Sequence, residues 1–390
     1  MIARALPSAL LVLALLCQSY IDLELAIDLG GWHANAPVTD ILALALIPWA
    51  LWGWATGRRL PLPGAAGYGL MLLAGALSAQ YALDPHASLH TLVRKPLFMF
   101  MAYGFGAAWV VAWCIKRRGL GWAIVAWLTS TAATSLFTSA GRVLAGDALW
   151  FHAIEGLTPN HKTLAVSLAG GLPLLAMAPR TPAIAAGLVV VVAIGLSASK
   201  TAWLMTALAV GLFWPRRRPL AWRWKIAAPT AAIGLALAYY APLLVGSRTM
   251  LDAARSRHSL NRRAWTMFRD RPLIGQGPGM SPAVELVTFP DYRVNGIDAH
   301  GVFQKVSGEM GAIGLIGYGW FSMSTFLGLR RRWNARGGDI DDVSYAALAC
   351  WGVSSAGLLL STETFSQTWW LPVGVSWGLA HAPEERRCAS

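Results

Sequence analysis

Charge is scarce in this chain. Asp, Glu, Lys and Arg supply 13% of its 390 residues, against about 25% in an ordinary soluble domain. So little charge excludes a fully solvated surface. Cysteine is scarce too: Cys17, Cys114, Cys350 and Cys388 are widely spaced. No C-x-x-C or other metal spacing links them, which argues against both a disulfide framework and a zinc site. No metal and no cofactor are expected. No internal repeat of clear period is present, which argues against a solenoid. "GQGPG" at 275–279 follows no strand and opens no βαβ unit, so it reads as a turn and not a dinucleotide site.

Apolar sequence is abundant: 56% hydrophobic residues with 20 Trp and a mean hydropathy of +0.49. The apolar residues form continuous runs, and a helix needs about 20 of them to cross a bilayer. Each backbone polar group is then satisfied within its own helix. A β-barrel would instead alternate over short strands. The fold class expected is an all-α polytopic membrane protein of about twelve spans. These fall near 6–22, 39–57, 64–83, 96–115, 119–139, 161–178, 182–198, 201–215, 225–245, 300–328, 343–361 and 365–381. The start, "MIARALPSALLVLALLCQSY", resembles a signal peptide but lacks a good cleavage site, so a retained first helix is expected.

The formal charge of +13 would suggest nucleic acid in a soluble protein. Here its placement removes that partner. Arg58–Arg59, Lys116–Arg118, Arg180, Arg216–Arg218 and Arg330–Arg332 with Arg336 fall in even-numbered loops. The first odd loop holds Asp22, Glu24 and Asp28 without Lys or Arg. This is the positive-inside pattern. It puts both termini in the cytoplasm and the odd loops outside.

Several cations break that rule. Arg94, Lys95, Arg142, Lys162 and Lys200 fall outside, with the block "RSRHSLNRRAWTMFRDR" at 255–271. An anionic ligand is the simplest explanation. The block sits in the longest outer loop, 246–299, and loops of that length are commonly functional. Leu251, Ala254, Asn261, Ala264, Trp265 and Phe268 recur there at helical spacing. They predict an amphipathic helix with its apolar stripe on the membrane or the bundle and arginines on the other faces. Pro272 and the glycines after it end that helix.

Four constellations carry chemistry. His161 and Lys162 open span six in "TPNHKT"; the alternative there is an interfacial anchor. Lys200 lies in "SASKT" between two apolar runs, beside Ser197, Ser199 and Thr201. If the chain breaks there, the new helix N-terminus favours an anion; the alternative is a plain turn. The arginines suit a diphosphate, because guanidinium groups bind phosphate bidentately and stay charged; the alternative is a basic face on lipid headgroups. Finally, Asp298, His300, Lys305 and Glu309 enter span ten together, and intramembrane ionisable groups mark function. Nine residues advance a straight helix about two and a half turns, so His300 and Glu309 would face opposite ways on one. His300 is the general-base candidate, its pKa lying near working pH. Gly308, Gly311 and Gly314 suit close helix packing, with Glu309 beside them.

These segments together resemble the O-antigen ligase and O-antigen polymerase (Wzy/WaaL) superfamily. Arg257 precedes Pro272 by fifteen residues, Gly275 and Gly277 follow, and His300 is followed by Glu309 and Gly311. The "HKT" at 161–163 and "SKT" at 199–201 look like the exopolysaccharide-polymerase variant. Lys200 stands where the family has Arg, and Gly301 where Asn commonly follows the His. The resemblance covers roughly 155–320, within a single integral-membrane domain of 1–390.

The resemblance implies a metal-independent transfer of a glycan from an undecaprenyl-diphosphate carrier to an acceptor sugar hydroxyl, at the periplasmic face of a bacterial inner membrane. Arg257, Lys200, Lys162 and His161 would hold the diphosphate and stabilise charge on it as the glycosidic bond breaks. His300 would take the acceptor proton, with Glu309, Ser199, Arg262 and Arg263 in support. The expected partners are the lipid-linked donor, a glycan or lipid A-core acceptor, membrane lipids and a polysaccharide chain-length regulator. Polymerisation of O-antigen or exopolysaccharide is the first expectation and ligation onto lipid A-core the second. A lipid-linked-glycan transporter or flippase is the rival of another class; inverted repeats and broken midplane helices would favour it, and neither is visible in the sequence.

Overall fold

The structure is a computed structural model. It describes residues 2–17, 24–29, 32–62, 64–144, 161–197, 199–213, 248–283, 301–337, 343–360 and 366–382. Its helices are α1 (Ile2–Cys17), α2 (Val38–Ala55), α3 (Ala65–Gln80), α4 (Pro85–Trp113), α5 (Arg117–Leu144) and α6 (His161–Gly171). Then follow α7 (Arg180–Leu196), α8 (Lys200–Phe213), α9 (Arg248–Asp270), α10 (Val302–Asn334), α11 (Val343–Leu360) and α12 (Gln367–His381). A 3-10 turn, Leu172–Met177, continues α6.

Among the described residues, four helical segments are long and apolar enough to cross a membrane: Val38–Ala55, Pro85–Trp113, Arg117–Thr138 and Val302–Asn334. Six shorter apolar helices join them, in α1, α3, α6, α7, α8 and α11. The count of twelve spans is therefore not established, and the span expected at 225–245 lies outside the described residues. The fold class is helical as expected, with one departure in the first acidic loop. There Glu24–Leu29 (β1) pairs antiparallel with Trp32–Pro37 (β2), from Glu24 opposite Pro37 to Leu29 opposite Trp32. The intervening Gly30-Gly31 is a hairpin-turn signal.

α12 is the central helix, buried at every residue from Trp369 to Ala380. It packs on α11, α4, α6 and α10. Its tryptophans meet a buried aromatic cluster: Phe321 lies 5.8 Å from Trp370, and Tyr68 stacks on Phe100 at 4.6 Å. Such pairs add to the area term through ring electrostatics. The tryptophans thus divide: Trp127, Trp370 and Trp377 fill the core, while Trp52, Trp122, Trp265 and Trp320 are exposed.

α4 begins earlier than its apolar run suggests. Asp84 caps it, its carboxylate accepting from the Ala87 amide at 2.9 Å, with Pro85 in the first turn. Both residues favour helix starts. Arg94 and Lys95 therefore lie on a helix and not in a loop. The turn around them, Val93–Leu97, is π-helical and contains Pro96, which has no amide to donate. The Pro96 carbonyl accepts from the Tyr68 hydroxyl at 2.8 Å.

α10 packs on α3 backbone to backbone. A Cβ on Gly67 would meet the Gly317 carbonyl at 2.8 Å, and one on Gly317 would meet the Met71 amide nitrogen at 2.6 Å. This is close approach through small residues, but it uses Gly317 where the expected trio was 308, 311 and 314. The atoms nearest to a Cβ on Gly314 belong to α10's own Met310 and Val306. Gly311 has a different task, described next.

Candidate active site

The long loop contains the expected amphipathic helix, α9, ending at Asp270. Its buried face is Leu260, Arg263, Ala264 and Met267, a stripe at helical spacing that packs on α10. Trp265 is exposed and lies 5.6 Å from the Phe268 ring. The apolar stripe anticipated through 264, 265 and 268 is therefore divided between two surfaces. One arginine is misplaced by the simple expectation as well: Arg262 is exposed, whereas Arg263 is 1% exposed.

After α9 the chain runs through α10. Gly311 interrupts α10 with φ 66° and ψ −163°, a conformation tolerated essentially by glycine alone. In an unbroken helix the amides of Ala312 and Ile313 would donate to the carbonyls of Gly308 and Glu309. Here Ala312 donates to the Pro272 carbonyl at 2.8 Å and Ile313 to the Leu273 carbonyl at 3.1 Å. The two carbonyls thus released accept from the loop: Gln276 donates to Gly308 at 3.0 Å and Gly277 to Glu309 at 2.9 Å. Two severed helical bonds are replaced by four bonds to the loop, leaving none of these buried groups unmet.

The glycines of the Pro-x-x-Gly-x-Gly turn permit this threading. A Cβ on Gly275 (φ 75°) would lie 2.5 Å from the Glu309 carbonyl oxygen, and one on Gly277 (φ 107°) 2.7 Å from the Ser88 hydroxyl. The far side of the loop rests on the α3–α4 corner. Ser88 Oγ donates to the Pro278 carbonyl at 3.0 Å, and the Arg271 guanidinium donates to the Tyr81 carbonyl. α10 is thus a broken helix, a feature named above as favouring a transporter. Its gap is filled by the protein's own loop.

Arg263, Lys305 and Glu309 are the buried charged side chains among the described residues, exposed 1%, 4% and 1%. All three lie at one helix crossing. A Cβ on Gly308 would meet Ala264 Cα at 3.5 Å and Met267 Cβ at 3.6 Å. Arg263 adjoins that contact on α9; Glu309 adjoins it on α10, with Lys305 one turn earlier on the same face. Buried ions cost several kcal/mol unless compensated.

At the start of α8 the chain does break, between Leu196 and Lys200. Ser199 is buried, and its hydroxyl accepts from the Ala202 amide at 3.4 Å. That is an N-cap, so this hydroxyl serves the helix end. Ser197 Oγ and Trp203 Nε1 both donate to the Ile194 carbonyl, at 2.7 and 3.0 Å, fixing the turn. Lys200 is the first residue of α8, and His161 and Lys162 are the first two of α6. α6 and α8 are neighbours in the bundle.

His300 lies outside the described residues. Gly301, which follows it, has φ 93° and precedes the first residue of α10. Arg257 lies within α9. α9 and α10 run in the same direction past their contact, since Ala264 meets Gly308 and the chain beyond α9 meets Ala312 and Ile313. Seven residues back from that contact are Arg257 on α9 and Gly301 at the head of α10, two turns on each.

Lys305 was visible in the sequence without a role, and Arg263 as a supporting arginine with nothing to set it apart from Arg262. Leu260, Ala264 and Met267 around Arg263 were the available signal, since a residue flanked by apolar neighbours three and four away shares their buried face.

The O-antigen ligase family model matches residues 185–319. That segment runs from within α7 to within α10, taking in Lys200, Arg257, the threaded loop, His300 and Glu309. The match supports ligase- or polymerase-type function for that segment, and the apolar helices support a membrane protein. His161 and Lys162 fall before the matched segment. No curated protein matches the chain.

Proposed function

We propose that this protein transfers a glycan from undecaprenyl diphosphate to an acceptor sugar hydroxyl, and that it polymerises a surface polysaccharide. The single observation that carries the reading is the arrangement of α9 and α10. A cation-bearing helix and the head of a span that follows a histidine run in parallel from one contact, inside the segment of family likeness.

In this mechanism Arg257 and Lys200, with Lys162 and His161, bind the diphosphate. They stabilise the charge that develops on it as the anomeric C–O bond breaks. His300 accepts the proton of the attacking hydroxyl. The acceptor oxygen forms the new glycosidic bond and undecaprenyl diphosphate leaves. Metal plays no part, since the cations supply the electrostatic stabilisation. Exposed Trp265, with half-buried Phe268 beside it, lies on the lipid surface. The site faces the periplasm of the inner membrane, both termini face the cytoplasm, and a chain-length regulator is a partner. The cations of the even-numbered loops support that orientation, and an anionic donor accounts for those on the outer side.

Polymerase is preferred over ligase because "HKT" and "SKT" resemble the exopolysaccharide variant. The test is purified protein with a lipid-diphosphate oligosaccharide and two acceptors. Chain extension without lipid A-core is the expected result. Product only with lipid A-core makes it a ligase. Movement of intact donor across a vesicle membrane, with no new bond, makes it a transporter.

A further inference from the structure

The geometry points to Arg263, Lys305 and Glu309 as a buried ionic lock that sets the spacing of α9 against the head of α10. They would be positioning residues, acting through the helices that carry the reacting groups.

Three observations converge. First, the buried charged side chains among the described residues are these three, and all sit at one crossing. A helix pair needing only adhesion is served at least as well by apolar residues, since ions so placed carry a large desolvation cost. Geometry, and not raw stability, is what charges at a crossing can specify. Second, Glu309 belongs to both fastenings. Its carbonyl accepts from Gly277 at 2.9 Å within the threaded loop, while its side chain is buried one turn from buried Lys305. A shift of α9 therefore strains the backbone junction as well as the charges. Third, the lock overlaps the junction at Glu309 and reaches one turn toward the head of α10 at Lys305. The junction bonds involve 308–313 on α10, the charges occupy 305 and 309, and His300 precedes the helix head. A small rotation at 305–309 is carried to the far ends of both helices, where about 1 Å of misplacement costs on the order of 100-fold in rate.

The catalytic consequence rests on the transferase reading; the geometric claim does not. The test places spin labels at Trp265→Cys on α9 and Phe303→Cys on α10. Both positions are exposed, and Cys17, Cys114, Cys350 and Cys388 are first replaced. Distances are read in lipid nanodiscs, and transfer kinetics are measured on the unlabelled variants. The expected result is a narrow distance distribution that broadens or shifts in Glu309→Gln and in Lys305→Met. In parallel kcat falls on the order of 100-fold while the donor KM stays within about threefold. Lys305→Arg, which keeps the charge, restores the narrow distribution and much of kcat. An unchanged distribution in both neutral variants overturns the lock, whatever the activity. If the neutral variants do not fold, Glu309→Asp replaces them: a shifted distance supports the lock, and an unchanged distance with unchanged kcat overturns it. Absence of transfer in the parent protein would remove the proposed function, and the distances would still decide the lock.

Discussion

The amide of Gly277 donates to the carbonyl of Glu309 at 2.9 Å, across 32 positions of sequence. That carbonyl would belong to Ile313 in a regular helix, and Ile313 donates to Leu273 instead. The loop after α9 and the break in α10 are therefore one structure, and neither can be changed without the other.

Gly311→Ala tests this coupling. The new methyl would press on the Leu273 and Ile274 backbone in a conformation with φ 66°. Holding a non-glycine residue in this region costs about 1–3 kcal/mol, and the clash adds to it. Thermal unfolding in detergent should show a clear loss of stability, with transfer abolished. A parent-like melting temperature would mean that α10 closes without the loop.

Gln276 separates backbone from side chain. Its amide donates to Gly308 at 3.0 Å. Gln276→Ala keeps that donor and should change stability by less than about 0.5 kcal/mol. Gln276→Pro removes it and leaves a buried carbonyl unmet, a cost of about 1–3 kcal/mol. Equal melting curves for the two variants would refute the exchange of bonds.

Neighbouring arginines should behave differently. Arg262→Ala alters an exposed cation, so its effect should be a small rise in donor KM that fades as salt is added. Arg263→Leu removes a buried one and should lower kcat with little salt dependence. The comparison is a salt titration of both variants; matching salt profiles would contradict the division of the two side chains.

Ser199→Ala removes the cap of α8 and should cost about 1 kcal/mol of stability, with donor KM unchanged and Ser199→Asn restoring the loss. A rise in donor KM without loss of stability would return Ser199 to the substrate.

The sequence expressed much of this plainly where one property repeats. Apolar runs marked most helices, and the spacing of Leu260, Ala264 and Met267 carried the amphipathic helix. Pro272 marked its end. The break at Gly311 was not legible, because its cause is backbone from residues 272–277 lying between 308 and 313. A sequence records which glycines are present and not which chain approaches them, so Gly311 read as a packing residue. Arg263 was hidden for a similar reason. Nothing in "NRRAW" distinguishes the two arginines until Gly308 and its neighbours supply the surface one of them faces. The hairpin at 24–37 was marked by Gly30-Gly31, a signal outweighed by the apolar runs on either side.

The most direct measurement of the central claim follows donor cleavage itself. Purified protein in nanodiscs is given undecaprenyl-diphosphate oligosaccharide and acceptor glycan, with a chelator present throughout. The account predicts release of undecaprenyl diphosphate in step with growth of the glycan. His300→Ala and Arg257→Ala, though correctly inserted, should each lose that release. Full release by His300→Ala, or a strict requirement for added metal, would contradict it.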